Sequence, residues 1–429
     1  MSQSREATSD ALRARVVGAA LLCSALAFIT LKYVGTINAW KLTHWLFGYD
    51  LGFVKRGVLG TLAAALTPGD VTSVRAIVTL SLCATALFVV ALGAFAWPAF
   101  ARPMRWRTRV AALFALASPG FGYLLSDLGR FDILNYALGL GAICAARALG
   151  RFPDPLFLGI AALVLLIHEA ALLLVLPVLT IVWLDMQGHL GWLLEPARWP
   201  TLAARLAPIA GVVLCIGLFG GADISLRELM PRLAERADFA PSAQSVYVLV
   251  RGLDSNVGQV LGRETAIVLA DGRSGPPLGP ILRDSFFSIL PFALAQLALA
   301  HFLLRSLAAE RRRPAIAALY LGFLAPWPLL LVGVDWGRWV AIAAAHSATL
   351  ILYFAPEFPG EGTSPFRGAS PFRSLGAALV VAFVILSAGT SYTMESARWG
   401  NADSPWAGVA RWMQDARGSQ TWDRAFVAP

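Results

Sequence analysis

Apolar runs recur along the whole chain and are separated by short polar stretches. Residues 15–34, 75–97 and 286–304 are typical, and each is about long enough to cross a hydrocarbon core of about 30 Å as a helix. Because lipid offers the backbone no hydrogen-bond partners, such runs must form helices rather than an open sheet. The pattern therefore predicts an all-α fold, a polytopic transmembrane helical bundle.

Composition and charge agree with this pattern. The chain is 57% hydrophobic and only 14% charged, whereas a soluble domain has about 25% charged residues. Its net charge of +9 comes from basic residues that fall mostly in short loops between apolar runs. Basic residues in such loops orient membrane helices. The basicity thus indicates membrane topology, and nucleic acid is not a predicted partner.

The longest apolar run, residues 156–184, determines the topology. As one straight helix at 1.5 Å per residue it would overshoot the hydrocarbon core. A single crossing would put the basic loop 305–314, and the loop with Arg367 and Arg373, outside. A bend at His168 that returns the chain as a hairpin of two half-length helices puts both loops inside, as the positive-inside rule requires. We therefore predict about 11 membrane segments, with the N-terminus in and the C-terminus out.

This topology divides the chain into four parts. They are an N-terminal transmembrane core (1–221), an external loop or cap (222–285), C-terminal transmembrane helices (286–391) and an external tail (392–429). Within the core, the first external loop (35–73) contains tryptophans of the kind that lie at the headgroup boundary. The last part of this loop is predicted to be a helix in the membrane interface.

Three short motifs share an aspartate, a glycine two positions later and a cation close behind. They are D-L-G-F-V-K-R from Asp50, D-L-G-R-F-D from Asp127 and D-W-G-R-W from Asp335. The predicted topology puts all three at the outer face, and His168 and Glu169 at the hairpin apex approach the same level from within the membrane. Ionisable residues at membrane depth are costly and usually line a cavity or a pathway.

The predicted site combines carboxylates with cations. The carboxylates suit either a general base or ligands of a divalent cation, and the planar fork of arginine suits a phosphate. The candidate catalytic residues are Asp50, Asp127 and Glu169. The candidate substrate-binding residues are Lys55, Arg56, Arg130, Asp132, His168, Asp335 and Arg338.

Each motif also has a purely structural interpretation. The motif at Asp50 is consistent with a capped interfacial helix whose cations touch lipid phosphates. The motif at Asp127 is consistent with a turn in which Gly129 permits the bend and the charges pair internally, and the same holds for the motif at Asp335. His168 and Glu169 are consistent with a pair bonded to neighbouring helices. These interpretations stay open beside the functional one.

The layout resembles that of the polytopic GT-C-type glycosyltransferases. The resemblance rests on topology and on Asp50 in "GYDLGFVKRG", within the first external loop. In that family an acidic residue in this loop is the usual catalytic base, which implies that role for Asp50. The resemblance implies a multi-pass enzyme of the bacterial inner (cytoplasmic) membrane. It would transfer a sugar from a polyprenyl-phosphate-linked donor to a glycan or lipid acceptor at the external face.

Two other functions fit the same pattern. A polysaccharide polymerase or ligase needs the same cations and an external active site. A transporter or lipid flippase also uses broken helices with polar apices, normally in symmetry-related pairs near the midplane. The sequence shows one broken run and no matching second, which favours the enzyme. Membrane lipids are predicted partners in every case.

Overall fold

The computed structural model describes the chain in several stretches. They are residues 2–35, 37–51, 56–67, 71–101, 106–219, 226–243, 245–246, 278–331, 336–358, 390–392 and 397–399. Apart from one short hairpin of strands β1 (Thr390–Tyr392) and β2 (Ala397–Trp399), the regular structure in these stretches is helical. The all-helical architecture predicted from the apolar pattern is therefore confirmed.

The α-helices follow one another with short connections. In chain order they are α1 (Ser2–Tyr33), α2 (Ala39–His44), α3 (Gly57–Leu66), α4 (Val74–Ala101), α5 (Trp106–Leu116), α6 (Pro119–Ser126), α7 (Phe131–Ala148), α8 (Asp154–Ile167), α9 (Ala171–Leu174), α10 (Leu176–Met186), α11 (Trp199–Phe219), α12 (Leu226–Glu235), α13 (Leu278–Leu304), α14 (Ala309–Leu324) and α15 (Trp336–Phe354). Short 3-10 helices cover Tyr49–Leu51, Leu190–Leu194, Pro196–Arg198, Trp327–Leu331 and Ala355–Glu357.

Six of the described helical stretches are long and apolar enough to cross a membrane. They are Leu12–Tyr33, Val74–Ala101, Arg109–Ser126, Pro196–Phe219, Ala309–Leu330 and Gly337–Glu357. This is the pattern of a multi-pass membrane protein. Of the eleventh segment expected from the sequence, near residues 375–391, residues 375–389 lie outside the described residues, and Thr390 and Ser391 belong to strand β1.

Helix α15 forms the centre of the bundle and α11 lies at its periphery. In the most apolar 18-residue stretch of α15, 94% of the residues are buried, against 6% in that of α11. Small residues allow the central packing: an added Cβ on Gly120 of α6 would lie 2.4 Å from both the Ala341 carbonyl oxygen and the Ala345 nitrogen of α15. Membrane helices approach closely through such small residues because there is little hydrophobic gain between helices in lipid.

The longest apolar run doubles back, as the sequence predicts. The backbone of His168 is extended (φ −157°, ψ 117°) and ends α8. Near the start of α8, Asp154 accepts a hydrogen bond from the indole of Trp183 at 3.0 Å, and Phe157 stacks on the same indole with ring centroids 4.5 Å apart. Trp183 belongs to the last part of α10. Helices α8 and α10 are therefore antiparallel.

A second helix break, which the sequence analysis missed, lies against the first. Helix α14 ends before Pro326, which has no N–H for the carbonyl of Gly322 four residues earlier. The ring nitrogens of His346 each lie 2.6 Å from a carbonyl oxygen, Nδ1 from that of Gly322 and Nε2 from that of Leu174 in α9. His346 thus lies between the two breaks, and the single N–H of its neutral ring can donate to one of these carbonyls at a time.

One end of the bundle, here called the basic end, carries a compact charge network. Arg311 pairs with Asp185 and, at 2.9 Å, with Glu357, and the hydroxyl of Tyr353 donates to Asp185 at 2.8 Å. Arg147 donates to the Tyr353 carbonyl oxygen at 3.3 Å. These contacts fasten α7, α10, α14 and α15 together at the ends where α7, α10 and α15 finish.

At the opposite end, part of the predicted external cap packs on the first loop. Leu229 and Leu233 of α12 are buried against Leu46 and Phe47. The cap is also joined by hydrogen bonds, since the backbone N–H of Ser242 donates to the hydroxyl of Thr43 at 2.7 Å and the Ser245 hydroxyl donates to the carbonyl oxygen of Trp40 at 3.0 Å. The described residues within 226–246 of the predicted cap therefore cover α2, whereas residues 278–285, which the sequence also assigned to the cap, form the start of α13.

The contact at Gly120 yields a stability prediction. We expect Gly120→Ala to destabilise the protein by about 1–3 kcal/mol, because backbone atoms of α15 surround the new methyl group and cannot move aside cheaply. Thermal unfolding of the purified protein in detergent measures the effect.

Gly141 in α7 is the matched control. A Cβ added there meets nothing within 4 Å, so Gly141→Ala is expected to be neutral or slightly stabilising. Equal melting temperatures for the two variants would contradict the close packing of α6 on α15.

Candidate functional site

Nine charged or histidine side chains meet at the end of the bundle opposite the basic end. This polar cluster consists of Lys41, His44, Arg56, Asp127, Arg130, Asp132, His168, Glu169 and Arg338. Its members come from the first external loop, the turn between α6 and α7, the apex of the hairpin and the start of α15. The convergence expected from the motifs thus holds for most of the predicted residues.

The turn between α6 and α7 supplies the first carboxylate. Gly129 permits this turn with a positive φ of 91°, and its carbonyl oxygen accepts a hydrogen bond from the indole of Trp45 at 2.8 Å. Asp127 lies 3.1 Å from the Lys41 ammonium and 3.2 Å from Nε of Arg130. The charges therefore pair internally, as the structural interpretation of this motif required, but with Lys41 as an added partner from α2.

Asp132, in the first turn of α7, joins two other segments. Its carboxylate pairs with the guanidinium of Arg338 from α15 and lies 4.0 Å from Nε2 of His168. The side chains of Asp132 and Arg338 are only 2% and 4% exposed. A buried pair of this kind strongly resists loss of either partner, because the remaining charge has no compensation.

Glu169 and Arg56 form the most exposed edge of the cluster. The Glu169 carboxylate accepts from Nε of Arg56 at 3.0 and 3.2 Å and from Nη2 at 2.6 Å. Nη1 of Arg56 donates to Nδ1 of His44 at 3.3 Å. The Glu169 side chain is 30% exposed, whereas those of Asp127 and Asp132 are nearly inaccessible.

Hydrogen-bond roles make both imidazoles neutral. Nδ1 of His44 faces the donor Nη1 of Arg56, and Nδ1 of His168 accepts from the backbone N–H of Ala170 at 3.0 Å. Each ring therefore carries its proton on Nε2. With neutral histidines, the nine members of the cluster hold four cations and three carboxylates, an excess of one positive charge.

Asp50 lies apart from the cluster. It is exposed, and its carboxylate pairs with Arg236, just after α12. Two further candidates, Lys55 and Asp335, lie outside the described residues. The structure therefore brings together Arg56, Asp127, Arg130, Asp132, His168, Glu169 and Arg338, and leaves Asp50 at the contact between the first loop and the cap.

Two members of the cluster were not predicted from the sequence, and neither were the polar groups that continue it along α7. Lys41 and His44 lie in α2, within the first external loop. One turn beyond Asp132, the buried amide of Asn135 and hydroxyl of Tyr136 have no hydrogen-bond partner among the described residues. The spacing Asp132, Asn135, Tyr136 is i, i+3, i+4, which places all three on one helix face and was a signal in the sequence.

These unpaired groups extend the polar surface away from the cluster along α7. The ring of Tyr136 lies stacked near His346 of α15, with centroids 6.2 Å apart. Buried polar groups without protein partners are rare, and where they occur they commonly bind an ordered water or serve a function. Asn135 and Tyr136 therefore offer donors and acceptors suited to hydroxyl groups.

The described residues do not fit a divalent cation. Within the parts of the chain that the structure covers, no three His, Cys, Asp or Glu side chains are grouped as metal ligands. Each carboxylate of the cluster instead has a guanidinium or ammonium group against it. The cluster is thus organised around arginines, and its carboxylates are engaged by cationic side chains.

Comparison of the chain with protein-family models, with curated proteins and with solved structures finds no significant match.

The Asp132–Arg338 pair yields a second prediction. We expect Asp132→Ala to cost about 3–5 kcal/mol, since it leaves Arg338 charged and buried. The double variant Asp132→Leu/Arg338→Met is expected to recover most of that loss, because it removes both charges. Thermal unfolding of the two variants and of Arg338→Met measures the coupling; additive losses would contradict a direct pair.

His44 yields a prediction on pH. Burial, followed by the charges of Arg56 and Arg130, holds the pKa of His44 well below its ordinary value of 6.5. The contribution of neutral His44 to the free energy of unfolding is therefore complete above pH 6.5. This contribution is lost as the pH falls below 6.5, because the unfolded chain then binds a proton that the folded chain does not.

We expect His44→Gln to flatten the fall of the melting temperature below pH 6.5. One histidine contributes at most about 1.4 kcal/mol per pH unit. His189, which stacks on Trp192 in the connection after α10, is the control position. An unchanged pH slope in His44→Gln would contradict a neutral, buried His44.

Proposed function

We propose that this protein is a membrane glycosyltransferase that uses a polyprenyl-phosphate-linked sugar. The donor would give its sugar to a glycan or lipid acceptor at the external face of the bacterial inner membrane. The observation that carries the proposal is the polar cluster, in which arginines from separate parts of the chain form a positively charged site inside an apolar bundle. Such a site suits an anionic headgroup on a lipid chain.

Charge distribution supports the proposed orientation. The basic end holds Arg147 and Arg311, with Arg312 and Arg313 next to them in α14. By the positive-inside rule this end would face the cytoplasm, and the polar cluster would then lie at the external side. The N-terminus inside, the C-terminus outside and about 11 membrane segments follow from the same rule and remain part of the proposal.

The proposed reaction is a direct displacement at the anomeric carbon. The oxygen of the acceptor hydroxyl forms a bond to that carbon, and the bond from the carbon to the phosphate oxygen breaks. Polyprenyl phosphate leaves with the bonding electrons, and a carboxylate accepts the hydroxyl proton. Guanidinium groups of Arg56, Arg130 and Arg338 would stabilise the charge that develops on the leaving phosphate.

Among the candidate bases, geometry favours Glu169 over Asp50. Glu169 belongs to the cluster and is partly exposed, so an acceptor could reach it. Asp127 and Asp132 are buried between cations, which leaves them suited to holding arginines in place. Asn135 and Tyr136 would bind sugar hydroxyls with their unpaired polar groups.

A transporter or lipid flippase is the second candidate, and one observation favours it. Two helices are broken, one at His168 and the other before Pro326, and both breaks lie against His346. Paired discontinuous helices are typical of transporters, where the substrate site lies between them. Here, however, His346 lies between the carbonyls of Gly322 and Leu174, and the charged groups of the polar cluster lie at one end of the bundle.

Sugar transfer tests the leading proposal. We expect purified wild-type protein, incubated with a panel of polyprenyl-phosphate-linked sugars, to transfer sugar from one of them. Glu169→Gln is expected to lower the rate by about 100-fold or more, because the amide cannot accept the proton.

Glu195→Gln is the matched control, since Glu195 is exposed and pairs with Arg198 in the connection before α11. Retained transfer in Glu169→Gln with loss in Asp50→Asn would return the role of base to Asp50, as the resemblance implied. No transfer with any donor, together with movement of lipid across vesicles, would favour the flippase.

A further inference from the structure

Arg56 holds Glu169 in the geometry in which an arginine holds a phosphate. Nε and Nη2 both donate to the carboxylate, at 3.0 and 2.6 Å for the shorter contacts. This two-point arrangement is the usual one for arginine with carboxylate or phosphate oxygens. One anion therefore already occupies the fork of Arg56, and it is a side chain of the protein.

The backbone of Arg56 is held in a costly conformation. Its φ of 68° and ψ of 10° lie in the left-handed region, and it is the one non-glycine residue with positive φ among the described residues. Bulky side chains rarely adopt this conformation, and strained positions of this kind cluster at ligand sites. Arg56 directly precedes α3, and its guanidinium contacts Glu169 at the hairpin apex.

Exposure singles out this pair within the polar cluster. The Arg56 and Glu169 side chains are 13% and 30% exposed, whereas those of Lys41, Asp127, Asp132 and Arg338 are at most 8% exposed. A ligand that approaches the cluster therefore reaches Glu169 and Arg56 first. Glu169 lies in the turn between α8 and α9, outside both helices, and its Oε2 is also 3.6 Å from Nδ1 of His168.

We propose that Glu169 holds the phosphate position on Arg56, and that the phosphate of a prenyl-linked substrate displaces it. The exchange keeps the charge of Arg56 matched by an anion throughout. It also frees the Glu169 carboxylate beside the bound phosphate, where the proposed reaction needs a base. The identity of the ligand rests on the proposed function. The inference adds that binding of the substrate phosphate and release of Glu169 from Arg56 occur together.

His44 contacts Nη1 of Arg56, away from the Nε and Nη2 atoms that hold Glu169. Its Nε2, which carries the ring proton, is buried and has no partner among the described residues. Arg56, Arg130 and Arg338 all act electrostatically on this imidazole. His44 therefore remains a neutral partner of Arg56 while the anion held by Nε and Nη2 is exchanged.

Binding of geranylgeranyl phosphate to the purified full-length protein in detergent tests the exchange. We expect Glu169→Gln to bind it about three- to tenfold tighter than wild type, because the competing carboxylate has lost its charge. Arg56→Gln is expected to bind at least about tenfold more weakly. Glu195→Gln, which removes an exposed carboxylate from a different loop, should bind like wild type.

Two comparisons make the ligand assignment specific. Geranylgeraniol, which lacks the phosphate, should bind wild type and Glu169→Gln equally. Inorganic phosphate should compete only at much higher concentration than the lipid phosphate; equal competition would identify free phosphate as the ligand and overturn the lipid assignment. Arg56→Lys keeps the charge but not the two-point fork, so the gain in affinity from Glu169→Gln should shrink when the two substitutions are combined.

Binding by Glu169→Gln that is no tighter than that of wild type, with an unchanged melting temperature, would overturn the exchange. Sugar transfer provides the separate test of the proposed function. Tighter binding by Glu169→Gln without transfer from any donor would contradict glycosyl transfer and leave the exchange standing. Transfer by wild type without the change in binding would contradict the exchange alone.

Discussion

A carboxylate inside a helical bundle must be matched by cations or hydrogen-bond donors, and Asp132 meets this requirement through residues far from it in the chain. Arg338 of α15 pairs with it, and His168 of the hairpin apex lies 4.0 Å away. His168 would not lie at an apex if residues 156–184 crossed the membrane as one straight helix. The break at His168 and the burial of Asp132 therefore depend on each other. The break brings His168 next to Asp132, and Asp132 gives the buried imidazole a polar neighbour.

Much of this arrangement could be predicted because it follows from length and charge. A run that overshoots the bilayer must tilt or bend, and only the bend kept the basic loops on one side. The ionisable residues left unexplained by loop charge were then expected at one level. Gly129, likewise, was expected to permit the turn after Asp127, and its φ of 91° shows that it does.

The particular pairs could not be predicted, because they depend on how helices rotate and pack. Nothing in the sequence distinguishes Asp50, which pairs with Arg236 on the cap, from Asp127, which pairs with Lys41. The second break was missed for a different reason. Pro326 lies near the end of an apolar run, where a helix is expected to stop, so the sequence does not show that the carbonyl of Gly322 lies beside His346.

The two ends of the bundle solve the problem of buried charge differently. At the basic end, Asp185 and Glu357 are matched by Arg311, with Arg147 nearby, and the hydroxyl of Tyr353 completes the network. Two carboxylates and two cations leave that network neutral. A structural network of this type holds helices together and has no excess charge to offer a ligand.

The polar cluster has four cations for three carboxylates, so it keeps an excess of positive charge. The cap covers α2 through Thr43 and Trp40, which shields Lys41 and the buried part of the cluster from solvent. The accessible edge is the one at which Arg56 is bound by Glu169. Among the described residues, this edge is therefore where an anion would first meet the cluster. The carboxylate that pairs with Arg56 is thus also the most exposed carboxylate of the cluster.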